Sequence, residues 1–180
     1  MNKVIAISGS NQVVSINSQL LNQTISGFEN SEVTLLDLTQ YPLPLYSQAI
    51  EAEGMPENVQ KIWDILAKHN ALVLAVPEHN GFMPAFLKNT IDWLSRMATK
   101  DTGFFATPNI PVMLLSTSPG GNGGATGLET LKNLMPWWGG EVKQCLSLGD
   151  FFDHCPNGEF TQESSQTLKQ LALAFEADLK

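Results

Sequence analysis

The chain has 180 residues, 43% of them hydrophobic and 16% charged, which is enough to bury the core of one domain and too apolar for a disordered protein. Its formal net charge of −8 disfavours nucleic acid and anionic membranes as partners, because both carry phosphate. No apolar run reaches the length of a signal peptide core or a membrane span, and two cysteines without a CxxC pair predict reduced thiols, so we expect a cytoplasmic protein.

Strands and helices alternate along the chain, which predicts one domain over residues 1–180. In chain order we expect a strand at 3–8, a helix at 15–26, a strand at 33–38, a long loop at 41–54, a helix at 56–69, a strand at 71–76, a helix at 84–97, a strand at 111–116, a short helix at 127–134, a strand at 142–148 and a helix at 164–179. Five strands joined by crossover helices predict a parallel sheet with helices on both faces.

In such sheets, ligands bind beyond the carboxyl ends of the strands. The loop after the first strand carries Ser10, Ser15 and Asn17 where a helix begins. Free N–H groups at a helix N-terminus, together with these polar side chains, suit a phosphate. Alternatively, Ser15 is only an N-cap in an ordinary polar loop. The spacing matches neither the dinucleotide fingerprint nor the P-loop.

Two more loops have unusual compositions. Residues 77–84 lie between Pro77 and Pro84 and include Asn80-Gly81, which suits the edge of a planar heterocycle, or is a plain turn that needs a glycine. Residues 116–125 hold four glycines in five positions, which lets the backbone approach a flat ligand, or forms a flexible lid without one.

Taken together, these motifs resemble the NADPH-dependent FMN reductase family, which includes chromate, quinone and azo-dye reductases. The matching residues are Ser8-Gly9-Ser10 with Ser15 and Asn17, Leu43-Pro44 with Tyr46, Pro77-Glu78-His79-Asn80-Gly81 with Pro84, Leu87-Lys88-Asn89, Ile91-Asp92-Trp93-Leu94, Ser118-Pro119-Gly120-Gly121 and Gly123-Gly124-Ala125. The resemblance implies a flavodoxin-like three-layer α/β sandwich with strand order 2-1-3-4-5.

The resemblance also implies a site for FMN. The phosphate would bind to Ser10, Gln12, Ser15, Ile16 and Asn17. The ring would lie against the second and third loops, whose implied contacts are Pro77, Glu78, His79, Asn80, Gly81, Ser118, Gly120 and Gly121. Two positions depart from the family pattern: Gln12 stands where arginine is usual, and His79 where tyrosine is usual.

The implied activity is hydride transfer from NADPH or NADH through bound flavin to a small acceptor such as free flavin, a quinone, an azo compound or chromate. Flavin does this chemistry itself, so we expect no catalytic side chain and no metal. The resemblance further implies a homodimer or homotetramer. Two alternatives stay open: a flavodoxin-like electron carrier, and a flavin-free binding or regulatory protein on the same scaffold.

Overall fold

Five strands form one sheet in the computed structural model, which describes residues 1–179. The strands are β1 (Asn2–Ser8), β2 (Ser31–Leu36), β3 (Ala71–Ala75), β4 (Ile110–Thr117) and β5 (Gly140–Leu148). All pairings are parallel, and the strand order is β2-β1-β3-β4-β5. The predicted flavodoxin-like fold is therefore confirmed.

Residues 1–179 contain seven helices. They are α1 (Ile16–Ile25), α2 (Gln48–Glu53), α3 (Glu57–Leu66), α4 (Ala85–Met97), α5 (Ala125–Leu134), α6 (Phe151–His154) and α7 (Gln162–Asp178). Short 3₁₀ turns lie at Leu38–Gln40, Met135–Trp138 and Pro156–Gly158. Within the described residues, no helix is both long enough and apolar enough to cross a membrane.

Alternation along the strands divides the core between the two faces. On one face, Val4 and Val73 pack in one cluster with Leu20 of α1 and Phe175 of α7. The other face holds the larger cluster, in which α3, α4 and α5 pack on the sheet. All five residues of β3 are buried, because this central strand is covered on both sides.

The structure corrects several boundaries predicted from the sequence, including the start of β2 at Ser31 and the start of α7 at Gln162. The interval 41–54 is not all loop, since it contains α2, which is capped by the Ser47 side chain. The second strand ends at Leu36, because the Asp37 carboxylate accepts the Thr39 N–H and starts a 3₁₀ turn at Leu38. The short helix before Pro136 begins at Ala125, two residues earlier than predicted.

Candidate functional site

The carboxyl ends of β1, β3, β4 and β5 are tied together by hydrogen bonds beyond the regular sheet pairing. The Gly9 N–H donates to the Ala75 carbonyl at 2.8 Å. The hydroxyl of Ser116 donates to the Val76 carbonyl, and that of Thr117 to the Leu148 carbonyl, both at 2.7 Å. These hydrogen bonds therefore hold in place the strand ends from which the following loops begin.

The first loop ends at a helix N-terminus with free donors. The Ser15 side chain caps α1 by accepting the Ser18 N–H, and the Ser10 hydroxyl accepts the Gln12 N–H at 3.2 Å. Among the described residues, the N–H groups of Ile16 and Asn17 have no hydrogen-bond acceptor. Both expected roles of Ser15 are thus compatible: it is the N-cap, and the helix end it caps presents N–H groups for an anion.

The Asn17 side chain links the first loop to β4. Its amide Nδ2 donates to the Thr117 carbonyl, and its Oδ1 accepts the Thr117 N–H, both at 3.0 Å. Asn17 is 3% exposed. The Asn17 side chain thus fixes the position of α1 against the sheet. The backbone N–H of Asn17 remains free for a phosphate.

The second loop is a tight hairpin turn. His79 and Phe82 exchange two backbone hydrogen bonds, of 2.7 and 3.1 Å, around Asn80 and Gly81. Both central residues have positive φ, 53° and 80°, which defines a type I′ turn and accounts for the Asn-Gly pair. Gly81 thus meets the backbone requirement of the turn. Its outer side is open, with Thr126 Cγ2 at 3.8 Å the nearest contact a Cβ would make.

Glu78 connects the second loop to the third. Its carboxylate accepts the Gly127 N–H in the first turn of α5 at 2.8 Å. A carboxylate at a helix N-terminus is stabilised by the helix dipole. The Glu78 side chain is thereby held against α5, while His79 and Asn80 next to it are more open to solvent.

The glycines of the third loop divide into two kinds. A Cβ on Gly124 would lie 2.0 Å from the Ser116 hydroxyl, and one on Gly123 would lie 2.5 Å from the Ser147 hydroxyl. These two let the loop pack on the strand ends. Gly120, by contrast, has no atom within 4 Å of the position that a Cβ would take, and the Ser118 hydroxyl holds its carbonyl at 2.7 Å. Gly120 thus leaves an open surface on a loop that is otherwise fixed.

Sequence reasoning missed the loop after β5, which completes this edge. Gly149 packs directly on the backbone of Gly121, and the Asp150 N–H donates to the Gly120 carbonyl at 3.1 Å. Asp150 has a left-handed backbone, and its carboxylate lies 3.4 Å from where a Cβ of Gly121 would stand. The Gly-Asp pair after the last strand was the available signal.

A cavity of about 450 Å³ lies beside the first loop, between α1 and the end of β2. Ser10 and Gln12 line it together with Leu35 and the one charged lining residue, Asp37. The hydroxyl of Thr39 is the main cause that keeps the pKa of Asp37 below its ordinary value. This carboxylate is therefore ionised at neutral pH.

The connection at residues 41–54 is fixed to α4. The Trp93 indole N–H donates to the Pro44 carbonyl at 2.8 Å, and the Tyr46 hydroxyl donates to Glu51 at 2.9 Å. Arg96 also binds Glu51, at 2.7 Å, and this contact, followed by that of Tyr46, lowers the pKa of Glu51. The resemblance at Pro44 and Tyr46 thus corresponds to a structural clamp.

These features fit FMN by the chemistry of the donors and the open space. Free N–H groups at the start of α1 suit its phosphate. A Cβ at Gly81 or Gly120 would meet no atom closer than 3.8 Å, so neither position blocks the approach of a flat ring. The groups that would hold FMN are accordingly the backbone of Ile16 and Asn17, the hydroxyl of Ser10, and the backbone of the second and third loops.

Comparison with known proteins agrees with this geometry. The sequence pattern of the family described as NADPH-dependent FMN reductase matches residues 2–152. An NAD(P)H-dependent FMN reductase of Pseudomonas aeruginosa is 37% identical over 52% of this chain and 50% of its own length. A quinone reductase of Pseudomonas putida is 37% identical over 46% of this chain and 42% of its own. The match thus spans half or less of these two curated relatives.

A solved structure shows the same fold over its full length. The flavoenzyme NAD(P)H:(acceptor) oxidoreductase of Paracoccus denitrificans superposes with a TM-score of 0.80 and covers 99% of this chain and 97% of its own, at 23% identity. The family pattern extends over most of the chain, and it includes all three loops that the sequence singled out. The chain belongs to the NADPH-dependent FMN reductase family.

Proposed function

We propose that the protein is an FMN-dependent NAD(P)H oxidoreductase that passes hydride from a nicotinamide to a small-molecule acceptor. The observation that carries this proposal is the carboxyl edge, where a helix N-terminus with free N–H groups lies at the same end of the sheet as two fixed loops with open glycines. Family membership and the names of the two Pseudomonas relatives support it.

When bound, FMN supplies the redox chemistry by accepting a hydride and passing two electrons on. The chain positions the reactants. Ser10, Ile16 and Asn17 bind the phosphate end, while the turn at Asn80-Gly81 and the loop at Gly120 hold the ring. No side chain has to act as nucleophile or base. Among the described residues, no group of three or more His, Cys, Asp or Glu side chains could hold a metal ion.

The proposal is tested by two readings on purified protein. We expect visible flavin absorbance after incubation with FMN and removal of excess, and bleaching of that absorbance when NADH or NADPH is added without oxygen. A protein that binds FMN but is not reduced by either nicotinamide is an electron carrier. Absence of bound flavin favours the flavin-free alternative. That alternative is also supported by Gln12, which stands where the family usually has arginine.

Gln12 gives a prediction on affinity. Gln12 is exposed in the first loop, where the family usually has arginine. Replacing it with arginine should tighten FMN binding by about 1.5–3 kcal/mol, because a guanidinium adds charged hydrogen bonds to the phosphate. Gln12→Lys is the matched control, since it adds the charge without the bidentate geometry, and it should gain less. Affinity unchanged in both variants would place Gln12 away from the phosphate.

Gly81 gives a prediction that separates backbone strain from lost space. Gly81→Val should cost about 1–2 kcal/mol of folding stability, because a left-handed backbone disfavours L side chains. Gly81→Asn should cost much less, since asparagine tolerates this conformation. Both variants should weaken FMN binding if the ring edge lies beside this turn. Thermal melts paired with FMN titrations test this, and an asparagine variant that binds FMN as the parent does would remove the turn from the site.

We also propose a cytoplasmic homodimer or homotetramer that binds neither nucleic acid nor membranes. Exposed apolar side chains around the carboxyl edge support self-association, since Val13, Leu45 and Phe152 are at least 59% exposed. Two cysteines without a disulfide among the described residues support a reducing compartment. Light scattering of the protein as it elutes from a size-exclusion column measures the molar mass of the assembly. The mass of a monomer would contradict the proposed homo-oligomer.

A further inference from the structure

The N-terminus of α5 is capped by a side chain from another loop. The N-cap residue of α5 is Gly124, which has no side chain that could accept an N–H of the first turn. The N–H of Gly127, three residues on, donates instead to the Glu78 carboxylate at 2.8 Å, and Glu78 lies 49 residues earlier in the chain. The second loop therefore supplies the cap that an N-cap side chain ordinarily provides.

Two glycines leave the space that the Glu78 side chain occupies. A Cβ on Gly127 would lie 3.3 Å from Glu78 Cγ, and a Cβ on Gly124 would lie 3.5 Å from Glu78 Cβ. Glycine inside a helix is unfavourable relative to alanine, because its backbone loses more conformational freedom on folding. Gly127 is nevertheless buried in the first turn of α5. The close approach of Glu78 accounts for a glycine at that position.

Glu78 also fixes the turn of the second loop. It directly precedes His79, which exchanges two backbone hydrogen bonds with Phe82 across that turn. The turn approaches α5 a second time at Gly81, where a Cβ would lie 3.8 Å from Thr126 Cγ2. Because α5 begins where the third loop ends, the bond from Glu78 to α5 joins the second loop to the third.

We propose that Glu78 is a positioning residue for the flavin ring. By capping α5 it fixes the second loop relative to the third, and it does so without a contact between its carboxylate and FMN. This role rests on the proposed function, in which the ring lies against both loops. It differs from the ring contact that the family resemblance implies for Glu78. Binding groups must be held within a fraction of an ångström by the residues that support them, so loss of this link should weaken ring binding.

The property that matters at Glu78 is the reach of its acceptor oxygen rather than its charge. Glu78→Gln keeps the length of the side chain and an oxygen that can accept the Gly127 N–H. Glu78→Asp keeps the charge on a side chain that is one methylene shorter, and Glu78→Ala keeps neither. We expect the glutamine variant to bind FMN with an affinity close to that of the parent. The aspartate and alanine variants should lose about tenfold or more, as expected for a lost hydrogen bond to a charged group.

The test titrates FMN and riboflavin into the parent and the three variants, well below their melting temperatures. Riboflavin carries the same ring without the phosphate, so a ring-positioning role predicts that the alanine and aspartate variants lose affinity for both ligands by the same factor. The visible circular dichroism of bound FMN should change in the same two variants, because it reports the surroundings of the ring. Glu129→Ala is the matched control, since it removes an exposed carboxylate from the same helix, and it should bind both ligands as the parent does.

Two results would overturn this role. Parental FMN affinity in Glu78→Ala, even with a lower melting temperature, would reduce Glu78 to a helix cap without effect on the flavin. Tighter FMN binding by Glu78→Asp than by Glu78→Gln would show that the charge acts and not the position.

A parent protein that binds no flavin would instead contradict the proposed function. Hydrogen exchange on the flavin-free proteins then decides whether Glu78 joins the two loops. The amides of Gly127 and Phe82 should exchange faster in Glu78→Ala than in the parent, and at the parental rate in Glu78→Gln. Equal exchange rates in the parent and both variants would show that Glu78 does not hold the loops together.

Discussion

Gly124→Ala should destabilise the protein by about 3–5 kcal/mol and abolish FMN binding, because three costs combine. The backbone at Gly124 has φ of +79°, which disfavours any L side chain. The added Cβ would lie 2.0 Å from the Ser116 hydroxyl, which holds the Val76 carbonyl. The third loop would have to leave the ends of β3 and β4. Chemical denaturation together with an FMN titration measures both effects.

Gly120→Ala is the matched control in the same loop. Gly120 has no positive φ, and a Cβ there meets nothing within 4 Å. Its stability should equal that of the parent, so any fall in FMN affinity reports a ring that lies against this position. If Gly124→Ala melts like the parent, the third loop does not pack on β4 at Gly124 as closely as described. If Gly120→Ala binds FMN like the parent, the ring does not contact Gly120.

Asn17→Ala should be the second large loss, of about 3 kcal/mol or more, because it leaves the buried N–H and carbonyl of Thr117 without partners. Thr117 is 2% exposed, so water cannot replace the lost bonds without rearrangement. The start of α1 would lose its fixed position against β4, and FMN affinity should fall in parallel.

Asn22→Ala provides the comparison, since Asn22 is exposed on the same helix and makes no side-chain hydrogen bond among the described residues. Its folding stability should change by less than about 0.5 kcal/mol. Equal stability of the two variants would show that the bridge from Asn17 to Thr117 does not hold the site together. Urea denaturation of both proteins under the same conditions makes the comparison.

The sequence was sufficient to predict the layered fold, because its signals are local. The apolar run at 71–76 predicted β3, and Ser15 as an N-cap predicted the start of α1. The interval 41–54 was harder, because Pro42, Pro44 and Gly54 outweigh the six residues of α2. Ser47, which caps that helix, was its one readable signal.

The local structure of the candidate site was predictable where it depends on neighbouring residues. The Asn80-Gly81 pair forms its turn within four residues, and an N-terminal cap is equally local. The hydrogen bonds between Asn17 and Thr117 join residues that are 100 positions apart, so no local sequence pattern predicts them. Asp150 was missed for the same reason, because its proximity to Gly121 depends on how two loops pack.

A fluorescence titration of FMN with the purified chain tests most directly whether this edge is a flavin site. We expect quenching that saturates at one FMN per chain in the parent and that is lost in Gly124→Ala, while Gly120→Ala remains folded. The absence of quenching by micromolar parent protein would contradict the assignment of these loops to FMN.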